Sequence, residues 1–163
     1  MRNIVLIGMP GAGKSTLGIQ LAKALGLGFI DTDVLIQQAE KKLLHEILDA
    51  TDYLNLRRLE EEVLLSLDCE NHLIATGGSA IYSNNGMNKL KSLGQIIFLD
   101  LPMRDLLKRI GDYSQRGIAS DKEQNFADIY AERIPLYRKY AEKTIDCTNK
   151  SQEELLQELV GLA

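Results

Sequence analysis

The sequence predicts a three-layer α/β domain, a central parallel β-sheet with helices packed on both faces. Three observations lead there. Short β-rich apolar runs alternate along the chain with stretches of helical period. The first run, Asn3-Ile4-Val5-Leu6-Ile7, lacks the polar alternation of a half-solvated strand and suits one buried on both faces. Three runs end directly in loops of glycine or aspartate, at the carboxyl edge where open parallel sheets bind their ligands.

The elements follow in order. After the first strand and its glycine loop, Leu17, Leu21 and Leu25 recur every four residues on one helical face, and Gly26 and Gly28 end that helix. Phe29-Ile30 opens a second short strand that runs into Asp31-Thr32-Asp33. A helical pattern covers 34–49 and another 53–67. Residues 72–76 read as a third strand, broken at Gly77-Gly78. Residues 84–93 form a turn and a short helix, 95–99 a fourth strand, and Pro102 opens a helix through Leu106, Leu107 and Ile110. The polar segment 111–125 shows no core periodicity, and a connection of that length in a compact domain is expected to be a functional lid or disordered. Helix 126–141, strand 143–148 and helix 152–162 complete the pattern. Tyr130, Tyr137 and Tyr140 have helical spacing and are expected in the core.

A chain of 163 residues, 45% of them apolar, can bury one real core, so 1–163 is expected to be a single domain. Its net charge of -4 argues against a general nucleic-acid binder, which needs a dense basic surface. Any anion site must be local, as the grouping of Arg104, Lys108, Arg109 and Arg116 is. Cys69 and Cys147 match no disulfide or metal spacing, and His45 and His72 are isolated. Reduced thiols, no apolar run near the ~20 residues that span a bilayer, and a start that enters a strand at once lead us to expect a cytoplasmic protein without a membrane partner.

The chemistry begins at Gly8-Met9-Pro10-Gly11-Ala12-Gly13-Lys14-Ser15, which satisfies G-x-x-x-x-G-K-[ST] between a predicted strand and a predicted helix. Glycines let successive backbone N–H groups turn inward around phosphate oxygens, and the helix starting near Lys14 points its positive end at the same anion. Lys14 bridges the β- and γ-phosphates of ATP and the Ser15 hydroxyl ligates Mg2+. Asp31 and Asp33, one residue apart on an extended segment, share a face. Asp31 can hold a metal-bound water, and Asp33 can draw the proton from a substrate hydroxyl. Both aspartates also suit a plain helix N-cap.

Taken with Leu56-Arg57-Arg58-Leu59-Glu60-Glu61-Glu62, Gly77-Gly78, Arg116 and Glu132-Arg133-Ile134-Pro135-Leu136-Tyr137, these features resemble the shikimate kinase family over nearly the whole chain. The resemblance implies a P-loop kinase fold and transfer of a phosphoryl group from ATP to a hydroxyl of shikimate, a small-molecule substrate, by a monomer. It places Gly11, Ala12, Gly13, Lys14, Ser15 and Thr16 on the phosphates and Arg109 on the adenine side. Arg116 becomes the lid arginine that closes on ATP, with Lys14, Asp33 and Arg116 as the catalytic set. Arg57 and Arg133 take the substrate carboxylate, Asp33 its hydroxyl, and Gly77 and Gly78 approach it closely. Glu60 is expected to pair with Arg57 three residues away, the rest of the Glu60–Glu62 run being solvated.

Two positions depart from the family pattern. Ser79 stands where the family has a third glycine, which adds a hydroxyl and a Cβ beside the substrate. Gly117 follows Arg116 where the family has proline, which is expected to loosen the lid. Both bear on acceptor preference, so two rival readings stand beside the first: a P-loop kinase with a different small alcohol, acid or nucleotide acceptor, and a nucleotide-sensing module without chemistry.

Overall fold

The computed structural model describes residues 2–111 and 117–162. Its centre is β1 (Asn3–Ile7), every residue of which is buried. It lies between β3 (His72–Ala75) and β4 (Gly94–Asp100), with β2 (Gly28–Asp31) beyond β3 and β5 (Lys143–Asp146) beyond β4. All four pairings are parallel, and the order is β2-β3-β1-β4-β5. A strand flanked by strands on both sides and helices on both faces has no contact with water, which is why its sequence is an unbroken apolar run.

Helices fill both faces: α1 (Lys14–Leu25), α2 (Thr32–Glu40), α3 (Leu44–Ala50), α4 (Tyr53–Ser66), α5 (Asn84–Leu93), α6 (Met103–Ile110), α7 (Phe126–Tyr140) and α8 (Gln152–Val160). Leu17 and Leu21 of α1 are buried as the four-residue spacing predicts. That helix ends at Gly26, whose φ of 68° is left-handed and costs glycine nothing. Two buried clusters result. The larger joins the sheet to α1, α5, α7 and α8. The smaller gathers Ile36, Ile47, Leu56, Leu59 and Ala119 under α2, α3 and α4.

The structure differs from the predicted elements in four places. Thr32 and Asp33 open α2 behind the Asp31 cap, so the two aspartates do not share the face of one extended segment. The stretch 34–49 is two helices, because Lys41 turns left-handed (φ 54°). The backbone N–H groups of Leu43 and Leu44 then donate to the side chains of Glu46 (2.7 Å) and Gln37 (3.1 Å) instead of continuing the helix. Residues 84–93 are helical throughout, and the turn precedes them as one 3₁₀ turn over Ala80–Tyr82, with Ser83 capping α5. Within 111–125, Ile118 and Ala119 are buried, so part of this segment does contribute to the cores. Gly117 sits at φ 62° against α3, where a Cβ would meet Leu44 Cβ at 2.6 Å and the His45 nitrogen at 2.7 Å. Close packing, rather than looseness, accounts for glycine there. Of the tyrosines, Tyr137 is fully buried, whereas Tyr130 and Tyr140 only flank the core.

One polar side chain fastens the amino edge of the sheet. Asn3, 2% exposed, donates to the carbonyls of Cys69 (2.7 Å) and Leu93 (3.1 Å) and accepts from the His72 N–H (2.8 Å). It thereby ties β1 to the segments entering β3 and β4. Asn3→Ala should cost about 2–4 kcal/mol, since each buried group left unpartnered loses its hydration without replacement. Urea unfolding at neutral pH measures this, and a loss below about 1 kcal/mol would show that water takes over all three bonds.

Candidate active site

The carboxyl ends of β1, β2 and β3 open into one cavity of about 490 Å³. On its first wall the loop after β1 bends through three positive-φ glycines, Gly8 (153°), Gly11 (84°) and Gly13 (90°). A Cβ on Gly11 would meet Ile110 Cγ1 at 2.6 Å, so the loop needs glycine there for space as well as conformation. Gly13 is the N-cap of α1 without any side-chain cap, leaving that helix's first N–H groups to face the cavity. Successive N–H groups gathered at a helix N-terminus fit a phosphate chain. Ala12, Ser15 and Thr16 line the same wall, and Arg109 comes alongside, its Nη1 3.6 Å from where a Cβ on Gly13 would lie.

Lys14 is held within its own loop. Its ammonium donates to the carbonyls of Gly8 (2.7 Å) and Met9 (2.8 Å), and the residue is 8% exposed. Burial pushes its pKa down to about 8, against the pull of Asp33. Ser15 Oγ donates to Asp31 Oδ2 at 2.5 Å. The other oxygen of Asp31 caps α2, accepting from the N–H groups of Asp33 (3.0 Å) and Val34 (3.4 Å). Asp31 is thus both a helix cap and half of a hydroxyl–carboxylate pair, a hard oxygen donor set of the kind Mg2+ takes.

The facing wall belongs to Asp33, Glu60 and the turn after β3. Thr32 Oγ1 accepts from the Gly77 N–H (3.1 Å), which locks that turn against β2. Gly77 cannot carry a side chain. The place a Cβ would occupy lies within 2.6 Å of both Asp33 Oδ1 and Glu60 Oε1. Gly78 is as confined, its Cβ position being 2.9 Å from both Arg133 Nη1 and Pro10 Cδ. Tyr137 Oη donates to the Gly78 carbonyl at 2.5 Å while its ring stacks on Phe98, centroids 5.2 Å apart, so the sheet core positions this turn.

Burial pushes the Asp33 carboxyl up to about 6, with Asp31 adding to the rise. Burial pushes Glu60 up to about 7, and here Asp33 adds. The expected Glu60–Arg57 pair is absent. Glu60 is 3% exposed and accepts a short hydrogen bond from Ser79 Oγ. Its seclusion inside α4, with a hydroxyl in reach on the neighbouring turn, decides against a solvent-side pairing. Glu61 likewise takes Ser83 Oγ, and Glu62 takes Arg58 on the surface.

Arg57 and Arg133 converge on a single acceptor. Arg57 donates to the Ala119 carbonyl through Nε (3.2 Å) and Nη2 (3.1 Å), and Arg133 through Nη2 (3.0 Å). Arg57 also lies over the Tyr82 ring, 3.6 Å from its centroid, and Arg133 Nε points to Tyr82 Oη at 3.3 Å. Neither arginine has a carboxylate within ion-pair distance among the described residues. Arg133, 1% exposed, lines the cavity, whereas Arg57 stands one layer back behind Ala119. Of the predicted set, the structure therefore brings Gly11, Ala12, Gly13, Lys14, Ser15, Thr16, Asp33, Gly77, Gly78, Arg109 and Arg133 onto one cavity. Asp31 joins through Ser15 and Arg57 through Ala119. Arg116 lies outside the described residues. Tyr82 is the residue that sequence reasoning missed; a lone tyrosine in a single short turn carries no periodicity to reveal it.

The shikimate kinase family model matches residues 10–162. The chain is 37% identical to a shikimate kinase of Clostridium botulinum (strain Okra / Type B1) over 161 residues, covering 96% of this chain and 94% of that one. It is 32% identical to a shikimate kinase of Mycobacterium avium (strain 104), covering 96% and 90%. Among solved structures, the shikimate kinase from Acinetobacter baumannii in complex with shikimate superposes with a TM-score of 0.91 at 32% identity, covering 99% of this chain and 92% of that one.

A stability measurement tests the carboxyl environment. A carboxyl whose folded pKa is raised binds protons more tightly folded than unfolded, so its contribution is complete below the unfolded value and lost as pH rises through the folded one. For Glu60 that window runs from the ordinary 4.5 to about 7. Glu60→Gln should therefore gain on the unaltered protein by on the order of 1–3 kcal/mol across this window and hold constant above it. A stability difference that does not vary with pH would mean Glu60 titrates as an ordinary carboxylate.

Proposed function

This chain belongs to the shikimate kinase family, and from that membership together with its site we infer that it transfers the γ-phosphoryl group of ATP to a hydroxyl of shikimate, giving shikimate 3-phosphate and ADP. The observation that carries the reading is the cavity itself, which brings the Lys14 loop together with Asp33, Gly77, Gly78 and Arg133. A phosphoryl donor beside a hydroxylated acid fits that lining.

The glycine loop and Lys14 hold the triphosphate and Arg109 lies beside the nucleotide, while the family resemblance gives Arg116 the role of closing on ATP. Ser15 and Asp31 would hold Mg2+, whose chemistry is to neutralise charge on the phosphate oxygens. Asp33 accepts the proton of the attacking hydroxyl while the oxygen–phosphorus bond forms and the bond to the β-phosphate oxygen breaks. The substrate carboxylate replaces the Ala119 carbonyl as acceptor of the Arg57 and Arg133 guanidinium groups. Two cations without a counter-charge, facing one carbonyl dipole, gain from exchanging it for a full negative charge. Lys14 gives up its two loop carbonyls in the same way and turns to phosphate oxygens. The stacked Tyr82 ring fixes the Arg57 plane, which limits the entropy lost on binding. The family resemblance supports a monomer acting in the cytoplasm on small molecules.

The reading is tested by ADP release from Mg-ATP with and without shikimate. Strong shikimate dependence is expected, and release equal to the ATP-only background would overturn it. Lys14→Ala should lower kcat by about a thousandfold while the protein stays folded. Arg57→Ala should raise the shikimate KM by roughly 10–100-fold and leave the ATP KM near its starting value, because a half-buried guanidinium that would meet the substrate carboxylate is lost while the phosphate loop is untouched. Since Asp33 must be ionised to take the proton, kcat/KM for shikimate should fall about tenfold per pH unit below pH 6.

A further inference from the structure

Beyond the groups that hold the two substrates, one buried arrangement stays unexplained. Glu60 sits buried on α4, its carboxyl facing Asp33, Ser79, Arg133 and Lys14, yet only one of its carboxyl oxygens is satisfied. Oε2 takes the hydroxyl of Ser79, whereas Oε1 is buried with no hydrogen-bond partner, the only such side-chain atom among the described residues. A bare buried carboxyl oxygen is costly, and a fold keeps one where it has a use. Oε1 is not directed at random. It lies at the open edge of Gly77, on the same side as Asp33 Oδ1, and Glu60, Asp33, Gly77 and Ser79 all line the cavity.

What turns Oε1 that way is Ser79. The residue is 7% exposed and begins the 3₁₀ turn whose far end is Tyr82, so its hydroxyl is placed by the backbone and has little freedom. Without that hydroxyl, Oε2 would lose its partner, and Arg57, three residues earlier on α4, stands at the spacing at which helical side chains meet. Glu60 would then swing toward Arg57. Two things would change together: the second carboxyl beside Asp33 would be withdrawn, and Arg57 would have its charge neutralised by the protein itself.

We propose that Ser79 is a positioning residue for acceptor recognition, which acts through Glu60 to set a second carboxyl group beside Asp33 and to leave Arg57 uncompensated for the substrate carboxylate. The acceptor this favours is an acid bearing two adjacent hydroxyl groups, one donating to Asp33 and its neighbour to Glu60 Oε1. The glycine that the family pattern has at this position could do neither. This proposal rests on the shikimate kinase reading.

The experiment compares the unaltered protein with Ser79→Ala and Ser79→Gly by steady-state kinetics. Acceptors are shikimate and an analogue lacking the hydroxyl next to the one phosphorylated. Removing a hydrogen bond to a charged group should raise the shikimate KM about tenfold in both variants. The ATP KM should stay within about twofold, since Ser79 hydrogen-bonds Glu60 and not the phosphate loop. The preference for shikimate over the analogue should shrink by a similar factor. Glu60→Gln combined with Ser79→Ala should be no worse than Glu60→Gln alone, because the serine then has nothing left to position. An unchanged shikimate KM, an ATP KM that rises in step with it, or additive effects in the double variant would each overturn the proposal. If the unaltered protein turns over shikimate and the Ser79 variants behave like it, only this proposal fails. If the unaltered protein shows no shikimate turnover, the functional reading fails and takes the proposal with it.

Discussion

The complete burial of β1 is the constraint from which the rest of the site follows. With strands on both sides and helices above and below, the strand has no freedom to shift in register, so the chain leaves it at one fixed point and must turn at once into a helix. Gly8, Gly11 and Gly13 make that turn possible. The same fixed sheet delivers β2 and β3 alongside, in register at Asp31 and Ala75, so Asp33 and Gly77 arrive across from the loop without any long-range search. A site whose parts come from adjacent parallel strands inherits the stiffness of the sheet.

Within that frame the electrostatics are those of a dry pocket awaiting charge. Lys14 is buried and lowered, Asp33 and Glu60 are buried and raised, and each is displaced chiefly by the loss of water. Arg57 and Arg133 spend their hydrogen bonds on one peptide carbonyl and on Tyr82. Such an arrangement stores no large ion-pair energy in the protein itself. Lys14 and Arg133 line the same cavity as the carboxyls of Asp33 and Glu60, so charge on a bound molecule would meet both signs at short range. Placing acids and bases in one low-dielectric space lets each be tuned by its neighbours.

Much of this was legible in the residue order. Five strands, the glycine loop, the aspartate pair and the two arginines were all readable, because each depends on short-range pattern: apolar runs, fixed spacing, residue type next to a turn. Gly77 and Gly78 were readable as a strand break. Asp31 could be read as a cap or as a metal-side carboxylate, and the structure shows that one oxygen does the first while the other meets Ser15. The break of 34–49 into two helices was not readable, since the side chains of Gln37 and Glu46 that take the freed N–H groups look like ordinary surface residues in the sequence.

The sequence by itself therefore determined the parallel α/β architecture, the phosphate-binding loop and the kind of chemistry, since these rest on periodicity and on motifs contiguous in the chain. Only the tertiary structure decided which partner each charged group takes. Glu60 looked free to reach Arg57 because the two are neighbours on one helix, but α4 packs with Glu60 facing inward, and the nearest donor there is Ser79 from a different turn. Arg57 and Arg133, separated by nearly half the chain, meet at the Ala119 carbonyl only because three separate segments pack together there. Pairings of that kind depend on which faces are buried and on the few ångströms between elements, and helical or strand periodicity carries no record of either.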